Sequence, residues 1–87
     1  MSQFEGAVIR EQGVTFAVVV VSPSVVENSF EANEAIQAFQ PVFTGMPIVL
    51  MAQDGRGRAT YYGPRDLSKF MANVPLRRVP WRRYTIN

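Results

Sequence analysis

Residues 74–87 read VPLRRVPWRRYTIN, four arginines, a tryptophan and a tyrosine with two prolines among them. A guanidinium presents a planar fork that grips phosphate or carboxylate with two parallel hydrogen bonds. Trp81 beside it offers a face for a base or for an arginine plane. A second basic stretch, QDGRGRA at 53–59, adds Arg56 and Arg58. The candidate polyanion site is therefore Arg56, Arg58, Arg77, Arg78, Trp81, Arg82 and Arg83, and nucleic acid is the polyanion considered. Each feature also has a purely structural reading. Asp-Gly is a hairpin turn that needs no ligand. The single tryptophan of a small domain is usually a core anchor. Arginine stems cover apolar surface while their heads stay in water.

Catalysis has few groups to draw on. The chain contains no histidine and no cysteine. The usual general base near neutral pH, the commonest metal ligand and the thiolate nucleophile are all missing. Ser2, Ser22, Ser24, Ser29 and Ser68 have no histidine to activate them. Ser68 and Lys69 are adjacent, so on a helix they point about 100° apart and do not face each other. The stretch at 53–59 departs from G-x-x-x-x-G-K-[ST] and from G-x-G-x-x-G, and it leads into a strand, not a helix. The expectation is a non-catalytic protein with no metal and no cofactor.

Charge is divided along the chain. Residues 1–54 hold six acids against Arg10 alone, a net −5, and residues 55–87 hold eight cations against Asp66 alone, a net +7. Such a split points to a basic face that seeks an anionic partner, or to two halves that neutralise each other in the fold. The opening MSQFEGAVIREQG lacks the basic and apolar regions of a secretory leader. The longest apolar run, residues 16–21, is too short to span a bilayer. These features, with the absence of cysteine, lead to the expectation of a cytoplasmic protein without a membrane segment.

The elements that must position these residues follow from periodicity. Residues 4–10 have a strand bias, EQG at 11–13 is a turn, and VTFAVVVV at 14–21 is a strand of β-branched and aromatic residues. Ser24 with Glu27 and Asn28 with Glu31 are alternative capping boxes for a helix over about 29–40, which Pro41 ends. MPIVLMAQ at 46–53 is a strand, DGRG at 54–57 a type I′ hairpin turn and RATYY at 58–62 the return strand. Leu67, Phe70, Met71 and Val74 give a second helix its apolar face, with Pro64 at its start and Pro75 at its end. The turn residues repeat at offsets of 42 (Gly13, Gly55) and 41 (Pro23, Pro64), a faint sign of duplication carried by turn chemistry alone.

The fold class expected is α+β, a small single domain over residues 1–87. Its order is β-β-α-β-β-α, with a four-stranded antiparallel sheet and residues 75–87 as an extended C-terminal tail or strand. Ile36, Phe39, Leu67 and Phe70 should pack on the sheet. Both central strands are apolar on both faces, whereas a sheet with one wet face alternates. Two short helices do not easily cover two faces. The expected remedy is a homodimer burying roughly 1,200 Å² or more, with Phe16, Val18, Val20 and Leu50 as candidate interface residues. The alternatives are one helix on each face of a tight monomer, or a tail folded across the second face by Leu76, Val79, Trp81 and Ile86. Function is accordingly read as association, with itself first, and as polyanion binding in the alternative.

Two substitutions separate the readings of the tail. If it packs as a last strand, Trp81→Ala costs about 3 kcal/mol in chemical denaturation, and glutamine at Arg77, Arg78, Arg82 and Arg83 matters little. If it grips duplex phosphates, the native protein shows a log K against log salt slope of about −3.6, which the four glutamines abolish. The packed strand is the expected outcome, since two prolines and a lone tryptophan anchor a tail better than they free it.

Overall fold

Val14–Val20 and Ile48–Gln53, the two most apolar runs, lie side by side at the centre of one sheet in a computed structural model that describes residues 2–11 and 13–86. Met1, Gln12 in the expected first turn, and Asn87 at the end of the expected tail lie outside the described residues. The elements are β1 (Ser2–Glu11), β2 (Val14–Val20), α1 (Pro23–Val26), α2 (Ser29–Phe39), β3 (Ile48–Gln53), β4 (Ala59–Tyr62), α3 (Arg65–Met71), a 3-10 turn at Leu76–Arg78 and β5 (Arg82–Ile86). The architecture is α+β, as the sequence implies, but the sheet is mixed and five-stranded, in the order β4-β3-β2-β1-β5.

Two expectations about the sheet are corrected. First, β2 and β3 pair in parallel, with Ala17 opposite Ile48 and Val20 opposite Met51. Helical residues between two strands return the chain to the end from which it left, and that makes the strands parallel. Turn signals at 11–13 and 54–57 fix antiparallel pairing within each hairpin and say nothing about pairing between hairpins. Second, the tail supplies a fifth strand. β5 pairs antiparallel with the first half of β1, Ser2 opposite Ile86 and Gly6 opposite Arg82.

Both faces of the sheet are closed by the chain itself. Ala17, Val19, Ile48 and Leu50 turn to one side, where Ala32 and Phe43 are buried with them and Val25, Ile36 and Phe39 pack from α1 and α2. Phe16, Val18, Val49 and Met51 turn to the other, where they meet Met71, Leu67 and Phe70 of α3 and then Val74, Leu76, Val79 and Trp81 of the segment leading to β5. The four side chains expected on the sheet are there, two on each face. Phe16, Val18 and Leu50 are fully buried within one chain, and Val20 is half-buried in the same core as the first two. They do not share a face, and no second copy is needed to cover them. The doubly apolar strands therefore no longer argue for a dimer across a sheet face.

Local chemistry sets the boundaries. Asn28 caps α2, its side-chain oxygen accepting from the amides of Phe30 at 2.9 Å and Glu31 at 3.1 Å. That satisfies two of the donors a helix start leaves open. Ser24 falls inside the short α1 instead. Gln40 ties down the return to β3 by donating to the carbonyls of Phe43 and Met46 at 2.9 and 2.8 Å. Phe4 of β1 sits 4.7 Å from Phe39 and stacks on Tyr84 at 5.4 Å, joining first strand, helix and last strand in one aromatic cluster.

Gly63, just after β4, lies against β3. A methyl group there would stand 2.9 Å from the Ile48 carbonyl and 3.1 Å from the Val49 Cα. Both are backbone atoms of a central strand and cannot turn aside. Gly63→Ala should cost about 1–3 kcal/mol, as forced overpacking does. Urea denaturation checks this, and an unchanged midpoint would show that β4 and α3 can shift freely.

Candidate functional site

The arginines singled out from the sequence do not converge. Arg56 and Arg58 occupy the β3–β4 hairpin, Arg77 and Arg78 the 3-10 turn, and Arg82 and Arg83 the edge strand β5. Strand side chains alternate, so Arg82 shares a face with Tyr84 on the α2 side while Arg83 points to the α3 side. Trp81 is half-buried in the α3-side core, and its indole N–H donates to the Leu76 carbonyl at 3.0 Å. The ring thus anchors the segment entering β5. A single groove lined by these seven residues is not formed.

The hairpin holds a fixed anion of its own. One Asp54 carboxylate oxygen accepts from the amides of Arg56 at 2.8 Å and Arg58 at 2.9 Å, and the other lies 3.5 Å from the Arg58 guanidinium. The Gly57 amide closes the turn on the Asp54 carbonyl, and Gly57 carries the positive φ of 80°. This is a type I turn with a left-handed glycine at its end, not the expected type I′ turn on Asp-Gly. The Asp54 side chain settles the difference, because it bonds the next amides in its own loop. Arg58 is the one cation in an ion pair among the described residues.

Charge is instead sorted by layer. Glu27, Glu31 and Glu34 lie exposed on the α1–α2 side, where residues 21–47 contain no cation. Arg65, Lys69, Arg77 and Arg78 lie exposed in the opposite layer, where Asp66 of α3 and Glu11 of β1 line one recess with Leu67 and Phe70. The separation is partial, since Asp54 pairs with Arg58, Glu5 stands opposite Arg83, and the strands place Arg10 and Arg82 on the α2 side.

With both faces covered, the sheet's open features are its edges. β4 and β5 each pair on one side only. Beside β5 the surface is concave in two places. On one flank Val8, Pro80, Arg82 and Tyr84 enclose about 260 Å³. At its C-terminal end Ala38, Pro41, Val42, Thr85 and Ile86 enclose about 410 Å³. Val8 is 38 % exposed, an apolar side chain left out of the core by the early end of the β1–β5 pairing. Sequence reasoning missed Val8 and Pro80. The available signal was a short arginine-bearing stretch at the chain's end, since edge strands commonly carry charge.

Nothing among the described residues groups three or more histidine, cysteine, aspartate or glutamate side chains as a metal site would. No helix of the described residues is long and apolar enough to cross a membrane. The Ser68 hydroxyl is buried on α3 without a hydrogen-bond partner among the described residues. No protein family, curated protein or solved structure matched the chain.

The Asp54 turn carries a pH signature. The Arg58 amide first, then the Arg56 amide and the Arg58 guanidinium, hold the carboxyl below its ordinary value. A lowered folded pKa means that this support is complete above the ordinary aspartate range and is lost as pH falls through the lowered value. The Arg56 and Arg58 amide resonances should therefore hold their positions until the pH drops below that range, then move together. Asp54→Ala should give the acid-like positions at neutral pH. Movement already within the ordinary range would show that the contacts are not kept in solution.

Proposed function

We propose that this protein works by association, not catalysis, and that it takes an extended segment of another polypeptide along the open edge of β5. The observation that carries this reading is the combination at that edge. Five residues pair on one side only, and concave surface flanks them. Strand addition draws its affinity from main-chain hydrogen bonds and its selectivity from recesses for alternate side chains. The other edge strand is shorter, Ala59–Tyr62, and the hairpin and α3 follow closely at its two ends. The lack of histidine and cysteine supports the non-catalytic half of the reading.

A second reading has its own support. Arg65, Lys69, Arg77 and Arg78 share one layer, a basic surface that would suit a nucleic acid or another polyanion. It lacks an exposed aromatic platform, because Trp81 is engaged with Leu76.

Both readings meet one experiment. The native protein is titrated with three eight-residue peptides of alternating valine and polar residues, the polar positions being all Gln, all Glu or all Lys, and amide exchange is followed. At least one peptide should slow exchange within residues 82–86 by about tenfold or more near saturation, leaving β4 unchanged, as new main-chain bonds would. Protection nowhere, or on β4 alone, overturns strand addition at β5. Salt-sensitive binding of a DNA duplex with no peptide effect would select the basic layer instead.

A further inference from the structure

Resting on strand addition at β5, we infer that the segment this edge accepts is acidic and comes from a different protein. β5 carries two exposed arginines, Arg82 and Arg83, and no acid. Neither makes an ion pair among the described residues, although Glu5 of β1 stands directly opposite Arg83 in the register. The two guanidinium groups are on opposite faces of the strand. An incoming strand alternates its side chains in the same way, so each arginine acquires a neighbour on its own face. Glutamate or aspartate at those positions completes two cross-strand pairs, and lysine or arginine there is repelled. Further along β1, past the start of β5, Arg10 adds a third exposed cation beside Val8 on the Arg82 face, its Nε donating to the Thr15 hydroxyl at 3.3 Å. Apolar residues of the incoming strand have Val8, Pro80 and Tyr84 to pack on.

The chain offers no such strand of its own. A second copy paired antiparallel through β5 would bring four arginines to one seam, with Arg83 and its symmetry mate within about a Debye length of each other. The other open edge, Ala59–Tyr62, is uncharged. Glu5 and Glu11 belong to β1, where Glu5 is paired with β5 and Glu11 with β2. Charged residues on an edge are a common defence against pairing with copies of the same chain. Here the same two arginines that discourage a second copy would select an acidic partner.

The three peptides of alternating sequence test the inference separately from strand addition itself. An alternating peptide sets its polar side chains on one face, so the Glu peptide meets Arg82 or Arg83 but not both. It should bind the native protein several-fold more tightly than the Gln peptide at low ionic strength, with the Lys peptide weaker than either. That preference should shrink sharply at high salt, since the groups are exposed. The double variant Arg82→Glu, Arg83→Glu should reverse it in favour of the Lys peptide. If that variant loses the β1–β5 pairing, seen as lost protection at residues 2–6, Arg82→Gln with Arg83→Gln should still erase the preference. Equal affinity for the Gln and Glu peptides overturns the acidic partner while strand addition stands. A concentration-dependent dimer in sedimentation, with residues 82–86 protected and no peptide present, overturns it in favour of a second copy. Failure of every peptide to protect β5 removes both, and leaves the arginines as a guard against self-pairing.

Discussion

Two central strands that are apolar on both faces impose the condition from which this architecture follows. β2 and β3 place Phe16, Val18, Val49 and Met51 on one side and Ala17, Val19, Ile48 and Leu50 on the other, all essentially removed from water. Removing one such face from water stabilises and the other must follow, at about 25 cal/mol for each Å² of apolar surface. The parallel crossover puts α1 and α2 on one side. The exit from β4 puts α3 on the other. Seven residues of α3 cannot cover a five-stranded sheet, so the chain continues across it with Val74, Leu76, Val79 and Trp81. β5 is the place where that traverse ends. The edge strand and its arginines are in this sense a by-product of sealing the second face.

The local elements were legible because each has a short-range physical cause. Asn28 with Glu31 marks the start of α2, and Pro41 follows directly on its end at Gln40. The run of valines at 18–20 can scarcely be anything but a central strand. The two-sided apolar pattern correctly stated that both faces need cover. It could not say what covers them, because a tail and a second subunit both satisfy the same burial. The strand order escaped for a similar reason. Whether β3 settles beside β2 or beside β1 depends on how α2 packs through Ile36 and Phe39, a contact made over many residues of separation. Of the candidate site, Arg82 and Arg83 were singled out with their strand character, while Val8 and Pro80 were not. Val8 reads as an ordinary sheet residue until the early end of β5 uncovers it.

Basic residues close together in a sequence need not make a basic site. Seven arginines share residues 55–87 with Trp81, yet helix, turn and edge strand divide them, and Asp54 engages Arg58. A period of two sends Arg82 and Arg83 to opposite faces. The sheet then stands between helices carrying Glu27, Glu31 and Glu34 and a layer carrying Arg65, Lys69, Arg77 and Arg78, while its own strands set Arg10 and Arg82 on the first side and Glu5 and Glu11 on the second. What the sequence displays as two charged halves is thus partly interleaved by the strands after folding.

The pairing of β1 with β5 also has a history in time. Ser2 lies opposite Ile86 in the sheet, and Phe4 stacks on Tyr84, a separation of nearly the whole chain. During synthesis the outer edge of β1 stays vacant until the last strand leaves the ribosome, and the α3-side core stays open until Val79 and Trp81 arrive. Contacts this distant along the chain are slow to form, since the entropy of closing the longest loop is met before they can reward it. Until those distant contacts form, β1 rather than β5 would be the open edge of the sheet, with Val8 and its neighbours uncovered.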